Sequence, residues 1–255
     1  MRLQVDDAVA SVTLDRPARL NAQTPAMWAE LVRIGERLPS TVRAVVVRGA
    51  GPAFSAGLDR SVLANDAADQ TLTRLADADL ETATEMIGRF QAAFGWLARP
   101  DIVSIAVVHG HAIGAGFQLA LACDLRVLVD DARLAMAEVT LGLVPDLGGT
   151  RRLRDLVGYS RAAELCLTGR TVDAAEAHEI GLASLVVSRE QVEISVRRTL
   201  AAVLAPTRAA QTATKQLLLA AGDRTQSEQQ VAEAVAQHRR LREMIGRIGP
   251  SGIPS

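Results

Sequence analysis

The chain has 255 residues, a mass of 27.0 kDa and a formal net charge of −1. With 49% hydrophobic and 22% charged residues it has the composition of a folded globular protein, which excludes disorder as its main state. A near-neutral charge without a basic patch argues against nucleic acid or a membrane surface as partner. The two cysteines, Cys123 and Cys166, form no disulfide framework, and no signal-peptide pattern opens the chain, so we expect a cytoplasmic protein.

Short strands and helices alternate along residues 1–188. A hairpin is predicted over residues 3–14, and Thr24-Pro25 is typical of a helix start, which predicts a helix to about Arg37. Residues 60–79 are interpreted as a mobile loop with helical turns. Further strands are predicted at 44–48, 102–108, 125–129, 134–137 and 183–187, and further helices at 80–98, 114–122, 148–157, 160–167 (with Ser160 as cap) and 174–180. This alternation predicts an α/β fold.

The pattern changes near residue 188. Three helices are predicted at 189–204, 206–221 and 227–246, which divides the chain into a core, residues 1–188, and a C-terminal helical region, residues 189–255. The stretch 102–123 has no charged residue and the length of a membrane span, but glycine, histidine and glutamine interrupt it. A buried strand, a turn and a buried helix explain this stretch better than a membrane helix.

Two glycine-containing loops follow predicted strands, at residues 54–59 and 109–116. Such turns can direct free backbone N–H groups into one space, and a helix N-terminus adds a positive dipole end. Two converging N–H groups are what an oxyanion requires. The alternative is that the glycines serve only the geometry of the turns.

A third loop brings carboxylates. Glu138 follows the apolar run 134–137, and partial burial there would raise its pKa and make it a better base. The alternative is a strand-end glutamate that faces water. His109 and His111 have no matching carboxylate or cysteine set, so no metal site is predicted.

Four segments in order carry a family resemblance: LDRPARLNA (14–22), AFSAGLD (53–59), VHGHAIGAGFQLALACDLRV (108–127) and AEVTLGLVPDLGGTRRL (137–153). The chain resembles the enoyl-CoA hydratase/isomerase (crotonase) superfamily from end to end. The resemblance implies a crotonase-like spiral of ββα units with a C-terminal helical trimerisation region. It also implies assembly as a trimer or a dimer of trimers, a coenzyme A thioester as substrate, and no metal or redox cofactor.

The resemblance assigns roles to individual residues. By motif position, the N–H groups of Leu58 and Ala115 form the oxyanion hole, although the family usually has glycine at the second position. The implied substrate and CoA contacts are Arg19, Ala22, Ala56, Gly57, Asp59 and Gly114, with Arg19 suited to a phosphate.

The catalytic positions depart from the hydratase pattern. Typical hydratases hold two glutamates, whereas this chain has Gln118 at the first position and Glu138 at the second. Gln118 has no ionisable proton but can hold a water by hydrogen bonds. Asp146, where hydratases commonly have glycine, forms with Glu138 a pair that resembles the dienoyl-CoA isomerases, and its setting also resembles ring-opening acyl-CoA isomerases. The alternative is that Asp146 only caps the helix near Gly148.

We therefore expect double-bond isomerisation of an acyl-CoA through an enolate, with Glu138 as base. The alternatives are an enoyl-CoA hydratase that uses Glu138 and a water held by Gln118, and a non-catalytic acyl-CoA binding protein. The expected metabolic context is fatty acid β-oxidation.

Overall fold

The computed structural model describes residues 1–64 and 70–247. In this part of the chain the strands are β1 (Arg2–Asp6), β2 (Val9–Leu14), β3 (Ala44–Gly49), β4 (Val103–Val108), β5 (His111–Ile113), β6 (Leu125–Val129), β7 (Arg133–Ala135), β8 (Thr171–Asp173) and β9 (Leu185–Val187). The helices are α1 (Pro25–Arg37), α2 (Arg60–Leu63), α3 (Thr71–Asp77), α4 (Leu80–Gly95), α5 (Ala115–Ala122), α6 (Gly149–Val157), α7 (Tyr159–Thr168), α8 (Ala174–Glu179), α9 (Val192–Leu204), α10 (Arg208–Ala221) and α11 (Gln226–Arg247).

Two sheets form the framework. The larger has the order β1-β2-β3-β4-β6-β9, in which only the β1–β2 hairpin is antiparallel. The smaller has the order β5-β7-β8. Because β3 and β4 are parallel neighbours, the loops that follow their carboxyl ends emerge at the same edge of the sheet.

Apolar side chains cover both faces of the larger sheet. Along β3, Val45 and Val47 belong to the main core, whereas Val46 faces a second cluster that includes Val196 of α9. This alternation follows from the two-residue period of a strand. The central strands β3, β4 and β6 are mostly buried and therefore give a rigid base for the loops at the edge of the sheet.

Most predicted elements are confirmed, with boundaries shifted by one to three residues. The α1 prediction is confirmed in detail, since the Thr24 hydroxyl accepts a hydrogen bond from Met27 N. The Ser160 prediction is wrong: α7 begins at Tyr159 and its N-cap position is Gly158, without a side-chain cap. Residues 60–79 contain two defined helices, α2 and α3, and the remainder of that predicted mobile loop, residues 65–69, lies outside the described residues.

Strand β5 was not predicted, because the sequence around His111 reads as a turn. The strand forms because a parallel partner, β7, lies beside it, and this contact is distant in sequence.

Among residues 1–64 and 70–247, no helix is long and apolar enough to cross a membrane.

The C-terminal helices contact the sheet region through buried polar groups. The only lysine of the chain, Lys215 on α10, donates from Nζ to Asp124 Oδ2 (2.6 Å) and to Ile102 O (2.8 Å). Lys215 is 8% exposed. The ion pair joins α10 to the turn between α5 and β6, and the second bond joins α10 to the residue before β4.

Candidate active site

The loops after β3 and β4 lie side by side. Ser55 and Ala112 form a parallel bridge, with Ser55 N donating to His111 O (2.8 Å) and Ile113 N donating to Ser55 O (3.0 Å). A Cβ on Gly57 would lie 2.6 Å from Ile113 O and 3.7 Å from Ala115 N. The two glycine loops that the sequence singled out are therefore in direct contact.

Backbone geometry leaves the N–H groups of Leu58 and Ala115 free. Neither has a hydrogen-bond partner among residues 1–64 and 70–247. Ala115 is the first residue of α5, where helical N–H groups have no intrahelical acceptor. Gly114, the residue before Ala115, has a φ of +51°, a backbone conformation that alanine would resist.

Glu138 begins a short 3₁₀ helix, Glu138–Leu141, instead of ending a strand. The side chain lies over Gly114: a Cβ built on that glycine would be 3.3 Å from Glu138 Oε1. Oε2 is buried and has no hydrogen-bond partner within the part of the chain that the structure describes. A buried carboxylate oxygen without a donor is costly in a resting protein, and it is free to accept a proton from a ligand.

Gln118, on α5, holds the other oxygen of this carboxylate. Its Oε1 accepts hydrogen bonds from Leu147 N (2.9 Å) and Gly149 N (3.2 Å), which fixes the orientation of the amide. Its Nε2 then donates to Glu138 Oε1 at 2.7 Å. Gln118 is 1% exposed, so one buried amide positions both the glutamate and the loop before α6.

Asp146 lies in that loop, and it is not a helix cap. The N-cap position of α6 is Gly148, and no side chain caps this helix. The Asp146 main-chain carbonyl accepts a hydrogen bond from Gln91 Nε2 of α4 (2.7 Å), which fixes the loop on a second side. The Asp146 carboxylate remains available to the same cavity as Glu138.

Both carboxyl groups, those of Glu138 and Asp146, have raised pKa values. Burial raises the pKa of Glu138 above its ordinary value of 4.5, and the negative charge of Asp146 adds to this, against the hydrogen bond from Gln118. Burial also raises the pKa of Asp146 above 3.8. The predicted desolvation of Glu138 is thus confirmed, and the water-facing alternative is wrong.

These groups line one cavity of about 560 Å³. Its polar part is made by Gln118, Glu138 and Asp146 with the Gly57–Leu58 and Gly114–Ala115 backbone. The rest of the lining is mainly apolar and includes Trp28, Val62, Leu75, Ile87, Phe90 and Leu143. The cavity suits a ligand with one polar group and an apolar chain.

The remaining predicted contacts lie around this cavity. Ala56, which also lines it, donates from its N–H to Leu20 O (2.8 Å), so the 54–59 loop touches the loop that contains Arg19 and Ala22. Arg19 is exposed and Ala22 is half-buried. The Asp59 carboxylate is 6% exposed and holds Arg16 (2.8 Å) and the Ser61 hydroxyl (2.9 Å), so its partners are protein groups.

Three further residues of the site were missed from the sequence. Gln23 is fully buried beside the Leu58 loop, Trp28 is a wall of the cavity, and Gln91 holds the Asp146 loop. Trp28 and Phe90 pack with their ring centroids 4.9 Å apart. Of these three residues, only Gln23 offered a signal in the sequence, as a polar residue next to a helix start.

In residues 1–64 and 70–247 no group of three or more histidine, cysteine or acidic side chains suits a metal ion.

Two free amide donors beside a buried carboxylate define a site in which a carbonyl oxygen can gain negative charge while a proton is moved. The family model described as enoyl-CoA hydratase/isomerase matches residues 4–245. The chain therefore belongs to the enoyl-CoA hydratase/isomerase family, and its α/β fold is crotonase-like.

Some relatives are named hydratases and others are named isomerases. The probable enoyl-CoA hydratase of Mycobacterium tuberculosis is 35% identical over 196 residues, which cover 76% of this chain and 71% of the relative. The rat mitochondrial Delta(3,5)-Delta(2,4)-dienoyl-CoA isomerase is 36% identical over 200 residues, which cover 76% of this chain and 60% of the isomerase.

A solved structure is similar over nearly the whole fold. It is a Thermobifida fusca YX protein, described as a candidate enoyl-CoA hydratase and crystallised with acetoacetyl-CoA. It superposes with a TM-score of 0.89 and 50% sequence identity, covering 94% of each chain.

Proposed function

We propose that the protein is an acyl-CoA isomerase that moves a carbon–carbon double bond within an unsaturated acyl thioester. The observation that carries the proposal is the buried, unpartnered Oε2 of Glu138, which lies in an apolar cavity beside the free N–H groups of Leu58 and Ala115. The CoA thioester bound by the similar Thermobifida fusca protein supports the substrate class.

In the proposed mechanism the two N–H groups hold the thioester oxygen. Glu138 Oε2 takes a proton from a carbon of the acyl chain, and the electron pair of that C–H bond moves into the conjugated system and onto the oxygen. Fixed donors stabilise the resulting enolate, and losing one such donor typically costs roughly 3 kcal/mol in other enzymes. The reaction ends when a proton forms a new C–H bond at another carbon.

Asp146 is the proposed partner acid. Burial raises the pKa of both groups, and the charge of Asp146 raises the pKa of Glu138 further, so a state with both carboxyl groups ionised is disfavoured. In the proposed reactive state Glu138 is ionised and acts as base, and the protonated Asp146 donates the proton that forms the new C–H bond. The net reaction consumes no water and no co-substrate, and the two carboxyl groups exchange their proton before the next turnover.

The hydrogen bonds of Gln118 favour isomerisation over hydration. Both acceptor positions of its Oε1 are used by Leu147 N and Gly149 N, and one N–H of its Nε2 is used by Glu138. A water that attacks carbon needs an acceptor that takes its proton. Gln118 cannot take that proton, so hydration would have to rely on Glu138 without a second acid at position 118.

The assembly and the cellular setting are also proposals. We infer that CoA follows the 16–22 and 54–59 loops of a ββα spiral, and that residues 189–255 mediate trimer formation in a cytoplasmic enzyme of fatty acid β-oxidation. Exposed apolar side chains on α11, among them Val231, Val235 and Met244, support a packing role for this helix.

A substrate screen tests the proposed reaction. The purified protein is given 3-enoyl-CoA, 3,5-dienoyl-CoA and 2-enoyl-CoA, and double-bond migration and hydration are followed separately by absorbance and mass. We expect migration in at least one of the first two substrates. Rapid hydration of 2-enoyl-CoA without isomerisation would favour the hydratase alternative. Binding of every thioester without turnover would favour an acyl-CoA binding protein, and either result would overturn the proposal.

A further inference from the structure

Gln23 is a buried glutamine whose backbone and side chain both form hydrogen bonds next to the candidate active site. It is fully buried, like its neighbours Asn21 and Ser55, and both ends of its amide are hydrogen-bonded. It precedes α1 and forms an isolated parallel bridge with Leu58. This bridge places Gln23 directly behind one of the two free N–H groups of the site.

The backbone of Gln23 sets the direction of that N–H group. Gln23 N donates to Gly57 O at 2.6 Å, and Gln23 O accepts from Asp59 N at 2.8 Å. In a parallel bridge, the N–H of the residue between these two bonds points away from the partner strand. The Gly57–Leu58 peptide is planar, so holding its carbonyl on one side directs the Leu58 N–H to the other.

The side chain of Gln23 links this peptide to the wall of the cavity. Trp28 Nε1 donates to Gln23 Oε1 (2.8 Å), and Gln23 Nε2 donates to the Ser55 hydroxyl (3.1 Å). That hydroxyl in turn donates to Asn21 O (2.9 Å) and accepts from Gly57 N (3.3 Å). The side-chain amide thus holds the loop before Leu58 through the Ser55 hydroxyl, while the Gln23 backbone holds the peptide groups on both sides of Leu58.

We propose that Gln23 is a positioning residue for the oxyanion donor and couples it to the acyl pocket through Trp28. The inference rests on the proposed function, in which Leu58 N–H holds the thioester oxygen. An acyl chain would pack on Trp28, and the thioester oxygen would bind the Leu58 N–H. Gln23 is hydrogen-bonded both to Trp28 and to the Gly57–Leu58 peptide, so it connects the two contacts. An apolar side chain at position 23 would fill the space but would leave the Trp28 N–H and the Ser55 hydroxyl without this partner.

The test measures how strongly the bound thioester carbonyl is polarised. A 2,4-dienoyl-CoA labelled with ¹³C at the carbonyl is bound to the wild type, Gln23→Met and Trp28→Phe, and the C=O stretch is read by infrared difference spectroscopy. The wild type should lower the stretching frequency relative to free thioester. Gln23→Met keeps the backbone bonds but removes the side-chain support of the loop, so it should lose part of this shift, with kcat reduced about tenfold and little change in KM, because a misdirected donor loses part of the effect of a deleted one. Trp28→Phe, which keeps an aromatic ring and removes one donor, should lose a smaller part.

Ser104→Ala is the matched control. It removes a buried polar group away from the site, the hydroxyl that donates to Leu97 O (2.7 Å), so it should lower stability without changing the carbonyl frequency. If Gln23→Met and Trp28→Phe both keep the wild-type frequency and kcat, the positioning role is wrong and the proposed function stands. If the wild type itself produces no shift, the oxyanion site and the proposed function fail, and the role of Gln23 fails with them. If Gln23→Met does not fold, Trp28→Phe decides alone.

Discussion

The amide of Gln118 donates a 2.7 Å hydrogen bond to Glu138 Oε1, while its oxygen accepts from Leu147 N and Gly149 N. One neutral side chain therefore orients the candidate base and holds the loop that carries Asp146. Because Oε1 is occupied by this bond, Oε2 is the carboxylate atom left for chemistry. At position 118, hydratases typically have an acidic residue. Here the glutamine at this position orients another acidic residue, Glu138.

The first prediction concerns Glu138→Gln. This change keeps the shape of the side chain and removes its basicity, so kcat for isomerisation should fall roughly 10²- to 10⁴-fold while thioester binding is retained. Steady-state kinetics and a binding titration measure the two effects. Glu179→Gln, an exposed change on α8, is the control and should be neutral. Unchanged kcat in Glu138→Gln would remove the base from the mechanism.

The second prediction is a pH dependence. Because the folded state raises the pKa of Glu138 above 4.5, the folded protein binds this proton more tightly than the unfolded chain does. The carboxyl group should therefore favour folding most at low pH, and this contribution should decline as pH rises from about 4.5 through the folded pKa.

Urea unfolding of the wild type and Glu138→Gln at a series of pH values measures this effect. The wild type should lose stability relative to the variant as pH rises. The rate of isomerisation should show the opposite trend on the acid side, because the base must be ionised, with a midpoint above the ordinary glutamate range. A stability difference that is independent of pH would contradict the prediction.

The third prediction concerns Gln118→Glu. The new carboxylate can still accept from Leu147 N and Gly149 N, and it provides a second acid next to Glu138. We expect hydration of 2-enoyl-CoA to rise relative to isomerisation by about tenfold or more, as an added acid–base group allows. Gln118→Leu is the comparison: it leaves buried N–H groups unpaired, which costs about 1–3 kcal/mol for each, and should lower both activities. A ratio unchanged in Gln118→Glu would mean that position 118 does not select the reaction.

The fourth prediction compares two glycines. Gly57→Ala places a methyl group 2.6 Å from Ile113 O at a φ of +88°, so the oxyanion loop must shift and kcat should fall by about 10²-fold. Gly88→Ala lies in the exposed middle of α4, where the new methyl group meets nothing within 4 Å. It should leave kcat unchanged and stabilise the protein by about 0.5–1 kcal/mol. Thermal unfolding and kinetics of both variants provide the test.

The fifth prediction concerns the anchor of α10. Lys215→Met leaves the half-buried Asp124 without its cation, and it should cost up to about 3 kcal/mol, the lower end of the range for breaking a buried pair. Arg33→Met breaks an exposed ion pair with Glu30 and should cost less than about 1 kcal/mol. Denaturant titration compares the two. Equal small effects would show that the Lys215–Asp124 pair contributes little to folding.

Much of the fold could be predicted because its signals are local. Thr24-Pro25 starts a helix through its own backbone and hydroxyl, and the apolar run of β3 reflects burial on both faces. The position of Glu138 after an apolar run left open both a partly desolvated base and a glutamate that faces water, and only the structure showed the burial. Strand β5 escaped prediction because its residues pair only when β7 lies alongside, and this pairing has no local signature.

The sequence by itself determined which groups are present: two glycine loops, Glu138 with Asp146, and a glutamine at position 118. Only the tertiary structure decided how these groups act. Two amide N–H groups from a later loop orient Gln118, the α6 cap at Gly148 leaves Asp146 free, and Gln23 directs the Leu58 N–H. The first and the last of these outcomes depend on hydrogen bonds between segments about 30 residues apart. Such bonds are set by the packing of the sheet edge, and no local pattern of side chains encodes their direction.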